Sequence, residues 1–385
     1  MFSSRLPWEL KPNALSDLLQ ETHRTGARIL DLTESNPTRA GFSYPGAELL
    51  KALSSPRALR YEPEPLGMES AREAVAAYYA ERGVDVSPAR IVLTASTSEA
   101  YSYLFKLLAD PGDEILIPRP SYPLFDFLAG LESVRVCQYP LRYDGAWHIE
   151  FHALEDLIHP RTRAIVVVNP NNPTGQYLKR NEMSRLQALA ERHNLAIISD
   201  EVFADYAFSQ DSQRETIVAA GDFGALCFSL SGLSKIAGLP QMKLGWMVVS
   251  GPDADRAMER LELIADTFLS VGSPVQLALP KLLDAGQGIR AQIMERTRIN
   301  LALLRNGLAG SPANPLQVEG GWYAVIQMPR TKSEEQWATV LLGRQEVLVQ
   351  PGYFFDFESE AFLVASLLTP PEIFAEGVHR LRSVL

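Results

Sequence analysis

Seven short apolar runs, spaced by turns and helix-period stretches, constrain this chain more than any other feature. They cover residues 91–94, 114–117, 134–138, 163–168, 195–199, 225–230 and 245–250. Several are continuously apolar rather than alternating, the pattern of strands covered on both faces. Amphipathic segments such as 99–109 and 180–193 lie between them. This alternation predicts an α/β fold: a mostly parallel seven-stranded sheet between helices.

The pattern changes after about residue 285. A helical stretch, 288–308, precedes three further strand candidates, 322–327, 347–350 and 362–366, and a last helix over 371–385. This predicts a smaller α+β domain over 286–385, beside a large domain over 46–285. Residues 1–45, rich in Pro, Asn and Thr, are expected to form an arm that packs with the smaller domain. A chain of 385 residues is long enough for both.

The chain carries 46 acidic and 36 basic side chains, a net charge of -10, with no dense basic run. That argues against a nucleic-acid partner. No stretch reaches the length of a membrane span, and the N-terminus has no apolar signal-like core. A cytoplasmic protein with no membrane partner is the expectation. Cys137 and Cys227 lie in apolar stretches and are expected to be buried thiols, with no disulfide framework.

Lys235 closes the segment Ser231-Gly-Leu-Ser-Lys235, just past an apolar strand. A lysine desolvated there can act as a neutral amine and form a Schiff base with an aldehyde. Its plain alternative is a solvated lysine in a turn. Asn172, in Asn169-Pro-Asn-Asn-Pro-Thr-Gly175, follows another strand, where ligands of open α/β sheets bind. The segment must also turn, for structural reasons alone. Asp200 ends the strand Leu195-Ala-Ile-Ile-Ser-Asp200 and needs a partner there. It can cap the next helix, or pair with a protonated ring nitrogen. Ser96, Thr97 and Ser98 join a strand to a helix and offer hydroxyls and free amides to a phosphate; a capping box with Glu99 is compatible with this. Tyr122 is a stacking platform for a flat ring, or a core aromatic.

Together these residues resemble the fold-type-I, class I/II aminotransferases, from about Ser35 to the last helix. The Asn-Asn-Pro-Thr-Gly, Ser-Asp-Glu-Val-Phe and Ser-Lys motifs occur in that family's order and at comparable spacing. The resemblance implies pyridoxal 5'-phosphate as cofactor, in a transferase moving an amino group between an amino compound and a keto acid or aldehyde. It implies that Lys235 holds the cofactor and moves the proton, and that Asp200 pairs with the pyridine nitrogen. Asn172 would contact the ring hydroxyl oxygen and Tyr122 would stack on the ring. Thr97, Ser98 and Ser234 fall at or beside phosphate contacts, next to Ser96. Tyr61 looks like the tyrosine that reaches the phosphate across a homodimer interface.

Four positions depart from the family pattern. Phe203 stands where Tyr is usual. Lys243 stands where an Arg clamps the phosphate, keeping the charge without the bidentate fork. Gly232 stands where Ser is common. Val364, in Phe362-Leu-Val-Ala-Ser366, replaces the Arg that grips a substrate α-carboxylate. Arg39 and Arg142 are candidate replacements. The loss of that Arg keeps open a lyase, decarboxylase or oxidase on the same scaffold. A ligand-sensing regulator is a third reading, but no basic helix-turn-helix segment accompanies it. His148 and His152, on an expected strand over 147–151, make a weak metal pair.

Overall fold

The computed structural model describes residues 2–6, 13–215, 224–359 and 361–385. Part of the expected N-terminal arm, residues 1 and 7–12, lies outside the described residues. A sheet of eight strands dominates, in the order Ile91–Thr94, Gly245–Ser250, Cys227–Gly232, Ala196–Asp200, Thr162–Val168, Glu114–Arg119, Arg135–Tyr143 and Trp147–Ile149. Six of them run in one direction. Gly245–Ser250 runs against both its neighbours, and Trp147–Ile149 folds back antiparallel on Arg135–Tyr143. The α/β, mostly parallel character is as expected. The count is eight rather than seven, because a turn at 144–146 pairs Tyr143 with Trp147 and adds a short edge strand.

The continuous apolar runs are explained by the two faces. Ala164, Val166, Ile198, Phe228, Leu230 and Met247 pack with the helices Thr97–Leu108 and Ala254–Phe268. Their alternates Ile165, Val167, Ile197 and Cys227 pack on the other face, with Leu186 and Leu189 of the helix Arg180–His193. Side chains of a strand alternate in direction, so a strand covered on both sides must be apolar at every position. Arg180–His193 ends at Asn194, whose φ of 54° provides a left-handed stop.

One helix, Ser273–Leu308, runs 36 residues through Pro280. The expected helix over 288–308 is only its second half, and the boundary expected after residue 285 falls inside it. Its first half joins a core with Leu239 and Trp246; its second half, from Leu301 on, joins another with Trp337 and Phe374. The C-terminal strands form a four-stranded antiparallel sheet: Asn314–Pro315, Tyr323–Gln327, Phe362–Ser366 and Gln350–Pro351. Leu30–Asp31 pairs in parallel with Val347–Leu348, and the Leu32 carbonyl accepts from the Ser366 amide at 2.7 Å.

Cys227 is buried, but Cys137 is only partly so: it lies on the strand next to the sheet edge, its thiol 3.0 Å from the Glu114 carboxylate. Burial and that carboxylate push its pKa up to about 11. The expected strand over 147–151 ends at Ile149, so His148 stays on the strand while His152 lies on the helix Phe151–Asp156. Among the described residues no single helix is long and apolar enough to cross a membrane.

Candidate active site

Parallel strands bring their carboxyl ends to one edge, and the segments that follow them meet there. Ser96 and Thr97 follow Ile91–Thr94; Tyr122 follows Glu114–Arg119; Asn172 follows Thr162–Val168. Asp200 is the last residue of its strand, and Ser234 and Lys235 follow Cys227–Gly232. Gly245 arrives from the opposite direction, as the first residue of the one antiparallel strand inside the sheet. These side chains line a cavity of about 200 Å3, completed by Ser35, Val168, Val202, Phe203, Gly232, Leu244 and Tyr323.

The electrostatics are set by burial. Desolvation lowers the Lys235 pKa to about 8, with Asp200 acting weakly in the other direction. Desolvation raises the Asp200 carboxyl to about 6, against hydrogen bonds from the Val202 amide and the Tyr101 hydroxyl, each 3.2 Å long, and against the Lys235 charge. The cavity thus holds a lysine that is neutral far more often than a solvated one and a carboxylate that is still ionised at neutral pH.

Asn171 shapes the turn that presents Asn172. Its amide donates to the Pro120 carbonyl at 3.0 Å and to Thr174 at 2.9 Å. Asn172 is buried, and among the described residues nothing donates to its Oδ1. Such an orphaned polar atom beside a cavity marks a place for a ligand. Ser96 caps the helix Thr97–Leu108, its hydroxyl accepting from Glu99 N at 3.2 Å while Glu99 accepts from Ala95 N at 2.7 Å. Glu99 thus reaches the residue before the cap rather than the cap's own amide, so the expected capping box is only half formed.

Gly232 and Gly245 are paired across adjacent strands. A Cβ on Gly232 would come 2.8 Å from Gly245 Cα, and one on Gly245 would lie 3.1 Å from Ser231 O and 3.2 Å from Thr97 N. Backbone approach accounts for Gly232 where the family has Ser.

Other expected residues fall outside the cavity lining. Ser98 is one step further along the helix. Lys243 is exposed, with φ 48°, just before the lining residues Leu244 and Gly245. Tyr61 is 81% exposed and lies in a separate hollow with Ala265 and Ser270. Arg39 and Arg142 are exposed and do not line the cavity; Arg142 pairs with Glu358. Val364 is fully buried, paired with Val325 and Gln350 and packed with Phe355 and Phe362.

Sequence reasoning missed Ser35 and Tyr323, which line the cavity, Tyr101, which bonds Asp200, and Trp322, whose ring centre lies 4.6 Å from the Lys235 Nζ. Tyr323 faces the cavity, its pKa pushed up to about 12 by burial. Tyr101 lies on the buried side of its helix, four residues after Thr97, the one available signal. The others carry no local signal, because folding from distant segments brings them in.

The donor set matches a flat, phosphorylated aldehyde: an amine, a carboxylate, a carboxamide, an aromatic face, and hydroxyls at a helix N-terminus, each from a different strand end. These residues fit pyridoxal 5'-phosphate, and the architecture is that of a fold-type-I enzyme. The chain belongs to the class I and II aminotransferase family, whose model matches residues 29–373; pyridoxal 5'-phosphate is that family's cofactor. The chain is similar to the glutamate-pyruvate aminotransferase AlaA of Escherichia coli, 31% identical over 267 residues. That match covers 69% of this chain and 65% of AlaA, less than two thirds of the relative's length. The alanine aminotransferase of Mycobacterium bovis is 28% identical over 94% of this chain and 86% of its own. Among solved structures, an alanine aminotransferase from Pyrococcus furiosus superimposes with a TM-score of 0.86 over 100% of this chain and 99% of its own, at 24% identity.

Proposed function

We propose that the protein is an aminotransferase that moves an amino group between an amino compound and a keto acid or aldehyde. The observation that carries this is the meeting of Lys235, Asp200 and Asn172, from three strand ends, in one cavity. Lys235 would hold the cofactor through Nζ, and the same nitrogen would take and return the proton of the amine-bearing carbon. Asp200 would keep the ring nitrogen protonated, Asn172 would meet the ring hydroxyl oxygen, and Tyr122 would cover one ring face. Ser96, Thr97 and Ser234 would hold the phosphate, with Ser98 and Lys243 beside them. When bound, the cofactor supplies an electron sink for the carbon bearing the amino group. Asp200→Asn should therefore reduce turnover by more than about a hundredfold, at near-normal cofactor content. Nothing in the comparisons favours a lyase, decarboxylase or oxidase.

A homodimer is part of this reading. Tyr61 is 81% exposed and lines a hollow with Met68, Leu93 and Leu269. Apolar side chains gathered there suit a partner subunit. We place the protein in the cytoplasm, a setting compatible with its two free cysteines.

The donor is proposed to be narrow. Among the described residues lining the cavity, Lys235 is the only cation, and Val364 is sealed in an apolar core. An unpaired carboxylate in a dry site costs several kcal/mol, of order 3–5. Screening amino compounds for conversion of the bound aldehyde to its amine form, by absorbance, tests both parts. No conversion by any donor sinks the aminotransferase; rapid conversion by glutamate, aspartate and alanine alike sinks only the narrow donor range.

A further inference from the structure

Three rings cluster beside Lys235, one of them, Phe203, lining the cavity. Phe203 and Trp322 meet edge to face at 5.2 Å, Tyr206 and Trp322 at 5.3 Å, and Phe203 and Tyr206 at 6.3 Å. All three are buried. The Lys235 Nζ lies 4.6 Å from the Trp322 ring centre and 5.5 Å from that of Phe203. Both distances are within cation–π range, and desolvation strengthens that attraction. The lysine backbone is fixed at the same place: the Tyr206 hydroxyl donates to the Lys235 carbonyl at 2.6 Å.

Trp322 is itself held by backbone. The Glu319 and Gly320 amides donate to the Gly175 carbonyl, at 3.2 and 3.1 Å, and the Gly321 amide donates to the Tyr206 carbonyl at 3.1 Å. Gly175 has φ 69°, and a Cβ there would lie 2.4 Å from Gly320 O. The turn carrying Asn172 and the segment carrying Trp322 are thereby locked together.

We propose that Trp322, seconded by Phe203, is a positioning residue that holds the Lys235 ammonium whenever that amine is not bonded to the cofactor. This rests on the reading of Lys235 as the cofactor's lysine. The ring faces attract the cation but offer no lone pair to take its proton. A protonated Nζ is retained there, while a neutral one is freed to leave. Phe203, in the place of a tyrosine, removes a hydroxyl that would compete for the ammonium. The other titratable groups lining the cavity with Lys235 are Asp200, Tyr122 and Tyr323.

The test uses cofactor-free protein and the Lys235 signal of Cε-labelled lysine in NMR, assigned with Lys235→Met. Uniform replacement of tryptophan by mono-, di- and trifluorinated forms weakens the ring face stepwise with little change of shape. The Lys235 titration midpoint should fall progressively, by about half a pH unit to one unit in all. Trp322→Leu should lower it comparably, and Trp322→Phe should restore most of the loss. A midpoint that ignores fluorination overturns the proposal even if Trp322→Leu fails to fold. A purely structural role for Trp322 would change melting temperature but give no fluorine trend. Borohydride labelling of the holoenzyme separately reports whether Lys235 bonds the cofactor, so the two readings fail independently.

Discussion

At the scale of single residues, burial tunes the site more than pairing does. Lys235 is held near pH 8 and Asp200 near pH 6 by loss of solvent, and their mutual attraction only tempers both shifts. The sign for cofactor capture follows. The aldehyde needs a neutral amine, so a lowered lysine pKa makes capture rise with pH up to about 8 and level off above it. Below about 6 Asp200 is protonated and cannot pair with a charged ring nitrogen, which steepens the loss. The rate of cofactor capture by the cofactor-free protein should increase roughly tenfold from pH 6 to pH 7, then flatten above pH 8. Stopped-flow absorbance checks this. A rate that keeps climbing to pH 10 would mean that Lys235 behaves as an ordinary solvated lysine.

At the scale of elements, Gly245 lets the strand Gly245–Ser250 pass close to the start of the helix Thr97–Leu108. A methyl group at Gly245 would press on Ser96 C and Thr97 N at 3.1 and 3.2 Å. Gly245→Ala should displace that helix start and weaken cofactor binding about tenfold, the equivalent of the lower end of overpacking costs. Equilibrium dialysis would measure it, and an unchanged affinity would show that the gap can relax. The strands were legible because two-sided burial writes continuous apolar runs into the sequence. The edge strand Trp147–Ile149 was legible within the alternating stretch 147–151 but was left out of the seven, since only its hairpin joins it to the sheet. The long helix was read only from residue 288, because Pro280 interrupts the signal of its first half. Lys235, Asp200, Asn172 and Tyr122 were legible as residues at strand ends. Trp322 and Ser35 were not, since only tertiary packing brings Ser35 to the cavity and Trp322 beside Lys235. Arg39 and Arg142 carry the right charge but are exposed and do not line the cavity.

At the scale of the whole molecule, the proposed enzyme needs a second subunit and one reactive lysine. Tyr61 is exposed on the single chain, and a partner would cover it. Sedimentation should give a dimer at assay concentration, and Tyr61→Phe should weaken cofactor binding several-fold without changing the mass; a fully active monomer would contradict both. The five strand ends should deliver the cofactor to Lys235 and to no other lysine. Reducing the loaded enzyme with borohydride and mapping the modified peptide by mass spectrometry tests it most directly. One pyridoxyl group is expected, on the peptide containing Ser231 to Lys235; the group on any other lysine would overturn the assignment.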